Sequence, residues 1–149
     1  MKILIVDDHP SIITVFKVMI NGLAEVSPVE FYECLSCEAT ITIIQERLQQ
    51  NEFFDLAILD YSMPPFVSGN VFSGADISLY LKKEMPTCKV LLITGSMDSV
   101  TVFEIIQNVK PDGFVFKSDL TPENFPKIAK DILQGVTYRS ESVRQIHQQ

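Results

Sequence analysis

Two adjacent aspartates, Asp7 and Asp8, follow the apolar run Ile3–Val6, and a third, Asp60, closes the run Phe54–Leu59. Thr94 follows Lys89–Ile93, and Lys117 follows Phe114–Phe116. A charge at the end of an apolar strand is costly unless something at the strand tip uses it. If the four runs are parallel strands of one sheet, these groups meet at one edge, where open α/β sheets keep their sites. Three carboxylates that close would repel one another, and at least one would hold its proton. A hard divalent cation, Mg2+ or Mn2+, relieves the repulsion by taking carboxylate and carbonyl oxygens plus water, and it often shares a phosphate oxygen. Lys117 adds a second positive charge and Thr94 a hydroxyl donor. A carboxylate nucleophile, a metal site, a cation and a hydrogen-bond donor are the parts needed to move a phosphoryl group onto a carboxylate. Each residue taken singly has an ordinary structural role. The signal is their recurrence at four of the five strand ends.

The elements that must position these groups alternate regularly. Lys2–Val6 is a short continuous apolar run, as in a strand buried on both faces. Pro10 and Ser11 open a helix predicted to reach about Leu23, with Ile12, Phe16, Met19, Ile20 and Leu23 on one face and Gly22 weakening its end. Val29–Cys34 reads as a second strand, and Ser36 caps a helix whose stripe is Cys37, Ile41, Ile44 and Leu48. The strand leading to Asp60 is followed by a long loop, residues 64–73, with Pro64, Pro65, Gly69 and Asn70 as breakers. Further helices are predicted from about Gly74 to Met85, where Pro86 ends the run, and from an Asp98 or Ser96 cap through Asn108. The last has a start signal at Thr121-Pro122-Glu123, moved nearer Asn124 by Pro126, with Phe125, Ile128, Ala129, Ile132, Leu133 and Val136 inward. Five β-α repeats predict a parallel sheet with helices on both faces. The polar stretch 137–149 reads as a C-terminal tail or the start of a linker.

The 149 residues suit one domain, here 1–136, and at 46% hydrophobic and 21% charged the chain is globular. The formal charge of −7 argues against direct nucleic-acid binding, which needs a basic face. No apolar stretch approaches the roughly 20 residues of a membrane span, and no signal peptide is evident. A cytoplasmic setting is expected. Cys34 and Cys37 have C-x-x-C spacing, but His9 and His147 are the only histidines available to complete a zinc site. Free thiols in a reducing compartment are the expected state of Cys34, Cys37 and Cys88.

Four pieces, in order, carry a resemblance: Ile3-Leu4-Ile5-Val6-Asp7-Asp8-His9-Pro10, Leu59-Asp60-Tyr61-Ser62-Met63-Pro64, Leu92-Ile93-Thr94-Gly95 and Phe114-Val115-Phe116-Lys117-Ser118-Asp119. Across residues 2–135 the chain resembles the receiver domain of two-component response regulators, most closely the NarL/LuxR class. The resemblance implies a flavodoxin-like (βα)5 doubly wound parallel sheet with strand order 2-1-3-4-5. It implies that Asp60 accepts a phosphoryl group from a histidine kinase or phosphotransfer protein. Asp8 would be a direct Mg2+ ligand, Asp7 would act mainly through water, and the Ser62 backbone carbonyl would complete the protein's share of the shell. Lys117 would pair with Asp60 and then with the phosphoryl oxygens, and Thr94 would swing toward them as the switch. Phe114 matches the switch aromatic but lacks a hydroxyl, so it could couple to Thr94 only by packing. Ser62 and Ser96 stand where the family tunes acyl-phosphate lifetime. The face made by the fourth helix, fifth strand and fifth helix would change and pair with another receiver, as a phosphorylation-linked homodimer, or with an output domain. DNA contact is expected only through such a domain, outside this sequence. The alternative within the family is a stand-alone receiver, acting as a phosphorelay shuttle or protein-interaction switch.

One departure stands out. The family places a glycine sooner after the acceptor, whereas Gly74 follows Asp60 by 14 residues. Residues 65–73 therefore read as an insertion beside the site, there to contact a kinase or to cover the pocket and slow hydrolysis. An aspartyl phosphatase of the haloacid dehalogenase type would need a second Asp two residues after the nucleophile, where Ser62 stands. A flavodoxin-like redox protein would need a phosphate loop after the first strand, where Asp7 and Asp8 would repel the phosphate. A P-loop is also absent.

Overall fold

The computed structural model describes residues 1–21 and 28–148. Its elements are β1 (Lys2–Val6), α1 (Pro10–Ile20), β2 (Glu30–Cys34), α2 (Cys37–Gln49), β3 (Leu56–Asp60), α3 (Gly74–Glu84), β4 (Lys89–Thr94), α4 (Ser99–Glu104), β5 (Gly113–Phe116), α5 (Phe125–Leu133), β6 (Tyr138–Arg139) and α6 (Glu141–His147). The strands form one parallel sheet in the order β2-β1-β3-β4-β5-β6. The expected doubly wound 2-1-3-4-5 order is present, with one strand added at its edge. Gly22 and Leu23, expected to close the first helix, lie outside the described residues.

Both sheet faces are covered, which explains the unbroken apolar runs in β1, β3, β4 and β5. Side chains alternate across the pleat. Leu4, Val6, Ala57, Leu59, Leu92, Phe114 and Phe116 pack toward α2, α3, α4 and α6. Ile3, Ile5, Ile58, Leu91, Ile93 and Val115 pack toward α1 and α5, where Phe16 stacks on Phe125 at 5.5 Å between ring centroids. The helix starts follow their capping chemistry. Ser36 Oγ accepts from the Ala39 N–H at 3.1 Å and Asp98 Oδ1 from the Thr101 N–H at 2.9 Å, contacts of about 1 kcal/mol each. Ser73 caps α3 by accepting from Ala75.

Three regions differ from the sequence reading. The fourth helix is α-helical only to Glu104 and continues as a π-helical turn over Ile105–Val109, closed by Lys110 at φ 52°. Val102, Ile105 and Val109 are all buried. The inserted loop is a small folded unit. Phe66 and Val71 bridge antiparallel around a tight turn, with Asn70 at φ 58°, and Met63 and Val71 are buried. The largest difference is at 137–149, read as a tail or linker start. Tyr138 and Arg139 pair with Gly113 and Phe114, and α6 packs on β5 and α4 with Val143 wholly buried.

The stretch reads as a tail because it is polar, and the connection that adds it to the sheet is an unusual one. The connections through α3 and α4 run over one face, whereas β5-α5-β6 continues outward over the other. That gives it the rare left-handed crossover. Local patterning rules end the fold at α5, and a two-residue strand carries no period of its own. The face of α4, β5 and α5, expected to be open, therefore carries β6 and α6.

Candidate functional site

Parallel strands place their C-terminal ends on one edge, and the register brings the chemistry together there. Val6 aligns with Leu59, Asp60 with Ile93, and Thr94 with Phe116. Asp7 and Lys117 continue directly from β1 and β5. Asp60 is 3% exposed, while Asp7 and Thr94 are fully buried. Lys117 Nζ lies 3.6 Å from Asp60 Oδ2 and 3.8 Å from Asp7 Oδ2, an ammonium between two carboxylates. The Ser62 N–H points at Asp60 Oδ1 from 3.4 Å.

Burial dominates the electrostatics of Asp60. It disfavours the charged form, the neighbouring Asp7 carboxylate adds to this, and Lys117 and the Ser62 N–H oppose it. The net result lifts the Asp60 pKa from 3.8 to about 6.

The fit of a divalent cation can be judged from the neighbouring oxygens. Asp7 Oδ1 accepts the His9 N–H at 2.9 Å, but Asp7 Oδ2 and Asp8 Oδ1 are buried with no hydrogen-bond partner. Asp8 Oδ1 lies 3.0 Å from His9 Nδ1 without a hydrogen bond between them. Orphaned carboxylate oxygens beside a third carboxylate are the donor set that suits Mg2+ or Mn2+. One ligand atom from each of Asp7, Asp8 and His9 falls within 4.8 Å of the others. The residues present fit the ion.

Sequence reasoning gave His9 no role at the site, using it as part of a motif and weighing it as a possible zinc ligand. Its ring is largely exposed and its Nδ1 lies 3.1 Å from Asp7 Oδ1. Its place directly after two acids at a strand tip was the available signal. Gly74 was expected to open α3 and does. A Cβ there would collide with the Asp60 carbonyl oxygen and crowd Tyr61, so α3 can start against the acceptor strand only on a glycine.

The remaining expected residues divide. Thr94 stands at the tip of β4, but its hydroxyl donates to the Ser96 carbonyl at 3.2 Å rather than to Asp60. Ser62 and Ser96 are exposed at the rim. Phe114 is fully buried among Leu92, Val102 and Phe116. Cys34, Cys37 and Cys88 are free and buried.

Residues 3–129 match the model of the response regulator receiver domain. The chain belongs to that family. Among curated relatives, the receiver is 27% identical over 140 residues to the oxygen regulatory protein NreC of Staphylococcus haemolyticus, covering 93% of this chain and 57% of that one. It is 28% identical over 96 residues to the transcriptional regulatory protein ComA of Bacillus subtilis, covering 63% and 39%. The chain thus spans about half the length of the curated relatives it matches. In fold it is similar to the isolated receiver domain of RcsB from Salmonella enterica, with a TM-score of 0.70 at 22% identity over 98% of this chain and 97% of that one. A CheY-like receiver from Methanospirillum hungatei gives 0.68 at 24% identity, covering 90% and 94%. Among the described residues no helix is long and apolar enough to cross a membrane.

Proposed function

We propose that this receiver accepts a phosphoryl group on Asp60 from a phosphohistidine of a histidine kinase or phosphotransfer protein and relays the change to an output. The observation that carries the reading is the buried Asp60 carboxylate 3.6 Å from Lys117, beside two orphaned carboxylate oxygens. A carboxylate oxygen of Asp60 attacks phosphorus, the P–N bond breaks, and the imidazole of the donor leaves with its electron pair. Asp60 must be ionised to attack, so its pKa of about 6 keeps it competent at neutral pH and weakens it in acid. Asp7, Asp8, Asp60 and the Ser62 carbonyl would hold Mg2+ or Mn2+, which when bound neutralises charge on the transferring phosphoryl oxygens. Lys117 pairs with the same oxygens. The Thr94 hydroxyl leaves the Ser96 carbonyl to donate to the new group, drawing the loop before α4 with it. Phe114 has no hydroxyl to follow and contributes packing. Ser62 and Ser96, at the rim, control the approach of water and so the lifetime of the acyl phosphate.

Since α6 covers part of the α4–β5–α5 face, the response passes through α4 and α6 together. A transcriptional output through a further domain is favoured by the character of the longer regulators the chain resembles, with DNA contact through that domain alone. Pairing of phosphorylated copies belongs to the same reading, as does a signalling rather than a substrate-turnover role.

The test is intact mass after incubation with Mg2+ and acetyl phosphate. One added phosphoryl group on the wild type, absent from Asp60→Asn and abolished by a chelator, is expected. A wild type that takes no label, or an Asp60→Asn variant that does, overturns the assignment.

A further inference from the structure

We infer that Ser140 and Ser142, at the junction of β6 and α6, are positioning residues for Lys117, an inference that rests on the phosphoacceptor reading above. Lys117 opens a single 3-10 turn, Lys117–Asp119, beyond the end of β5. The turn's own backbone supplies little restraint, chiefly the Leu120 N–H on the Lys117 carbonyl at 3.1 Å. Residues from the far end of the chain hold both its flanks. On the strand side, the Phe116 N–H donates to Ser140 Oγ at 3.1 Å in a buried bond, and Ser140 is 1% exposed. On the other side, Asp119 accepts twice from Ser142, from the N–H at 3.0 Å and from the hydroxyl at 2.9 Å. Asn124 Nδ2 donates to the Asp119 carbonyl at 2.8 Å.

The clasp is anchored in the core. Val143, next to Ser142, is fully buried against the cluster that contains Val102, Phe114 and Phe116. The Ser140 N–H donates to the Phe114 carbonyl at 3.0 Å. The polar residues of a stretch that reads as a tail are thus turned inward onto the segment bearing the lysine that faces Asp60 and Asp7. Lys117 Nζ stands at 3.6 and 3.8 Å from its carboxylates, so a small displacement of its backbone decides whether it reaches them. Losing the Ser140 hydroxyl leaves the Phe116 N–H buried without a partner, and losing the Ser142 hydroxyl halves the hold on Asp119.

The experiment compares wild type with Ser140→Ala/Ser142→Ala in the full chain, each also in a Lys117→Ala background. Two quantities are read: the rate of labelling by acetyl phosphate with Mg2+, and amide hydrogen exchange over residues 116–120. Exchange in that segment should rise at least roughly tenfold in the double variant, which loses two hydrogen bonds. Labelling should slow by a similar factor, yet not slow further when Lys117 is already alanine. Ser142→Thr, which keeps the hydroxyl, should restore the rate. Should the double variant fail to fold, Ser142→Ala alone is read, since it keeps the backbone bond to Asp119. Faster exchange with an unchanged labelling rate overturns the inference, as does slowing of equal size without Lys117. A wild type that takes no label refutes the phosphoacceptor reading instead. In that case the exchange comparison still decides, because an unchanged 116–120 segment overturns the clasp.

Discussion

Replacing Asp60 by Asn should stabilise the metal-free protein, and by an amount that depends on pH in a defined way. Burial and the Asp7 charge lift the folded-state pKa of Asp60 from 3.8 to about 6. A raised carboxyl pKa means that the ionised group opposes folding. The penalty grows as pH rises from the unfolded value of 3.8 and is complete above about 6. At about 1.36 kcal/mol per pKa unit, the shift amounts to roughly 3 kcal/mol at pH 7.5. At pH 4.5 the folded state holds its proton, and roughly 1 kcal/mol remains, because the unfolded chain is already mostly ionised. Asn removes the ionisation while nearly keeping the shape. Lys117 loses its partner in the variant, so about 3 kcal/mol is the upper value. The assay is urea unfolding of both proteins in chelator at pH 7.5 and 4.5. In melting temperature the neutral-pH gain should be about 6–12 °C, at roughly 2–4 °C per kcal/mol for a chain of this size. Added Mg2+ should narrow the gap, since it binds the folded wild type more tightly than the variant. An Asn variant no more stable than wild type at pH 7.5, or a gap of equal size at both pH values, would refute the electrostatic reasoning.

Two further outcomes follow from particular contacts. Gly74→Ala should destabilise by about 2–4 kcal/mol, because the new methyl group meets backbone atoms of Asp60 and Tyr61 that cannot rotate away. That exceeds the gain of up to about 1 kcal/mol from alanine's helix propensity, and denaturant unfolding would show it. The three buried thiols should resist iodoacetamide in the native state at pH 8, with burial pushing Cys88 furthest, up to about 12. All three should react after unfolding, and mass spectrometry of the alkylated protein distinguishes the two cases.

Much of this receiver was legible in its sequence because the information was local. Continuous apolar runs marked strands buried on both faces, and polar residues at their ends marked the tips. Pro and Gly placed the breaks, and Ser36 and Asp98 capped the helices they precede. Given right-handed β-α connections, parallel alignment follows, and with it the meeting of Asp7, Asp60, Thr94 and Lys117 at one edge. What tertiary structure decided was how particular side chains turn and which distant polar groups meet. The inserted loop folded on itself because Phe66 and Val71 pair across a turn that leaves Met63 and Val71 buried, and no periodicity announces a two-residue bridge. Thr94 turned its hydroxyl to the Ser96 carbonyl and His9 its ring to both aspartates, contacts between near neighbours in the chain whose direction the residue types leave open. Above all, residues 138–147 read as a polar tail because their apolar content is small. Their serines found partners in Phe116 and Asp119, more than twenty residues away in the chain. A hydrogen bond between distant polar groups leaves no pattern in sequence, whereas a buried strand must be apolar along its length to stay out of water. The strands and the acids at their tips were therefore written in the sequence, and the hold on Lys117 came only with the fold.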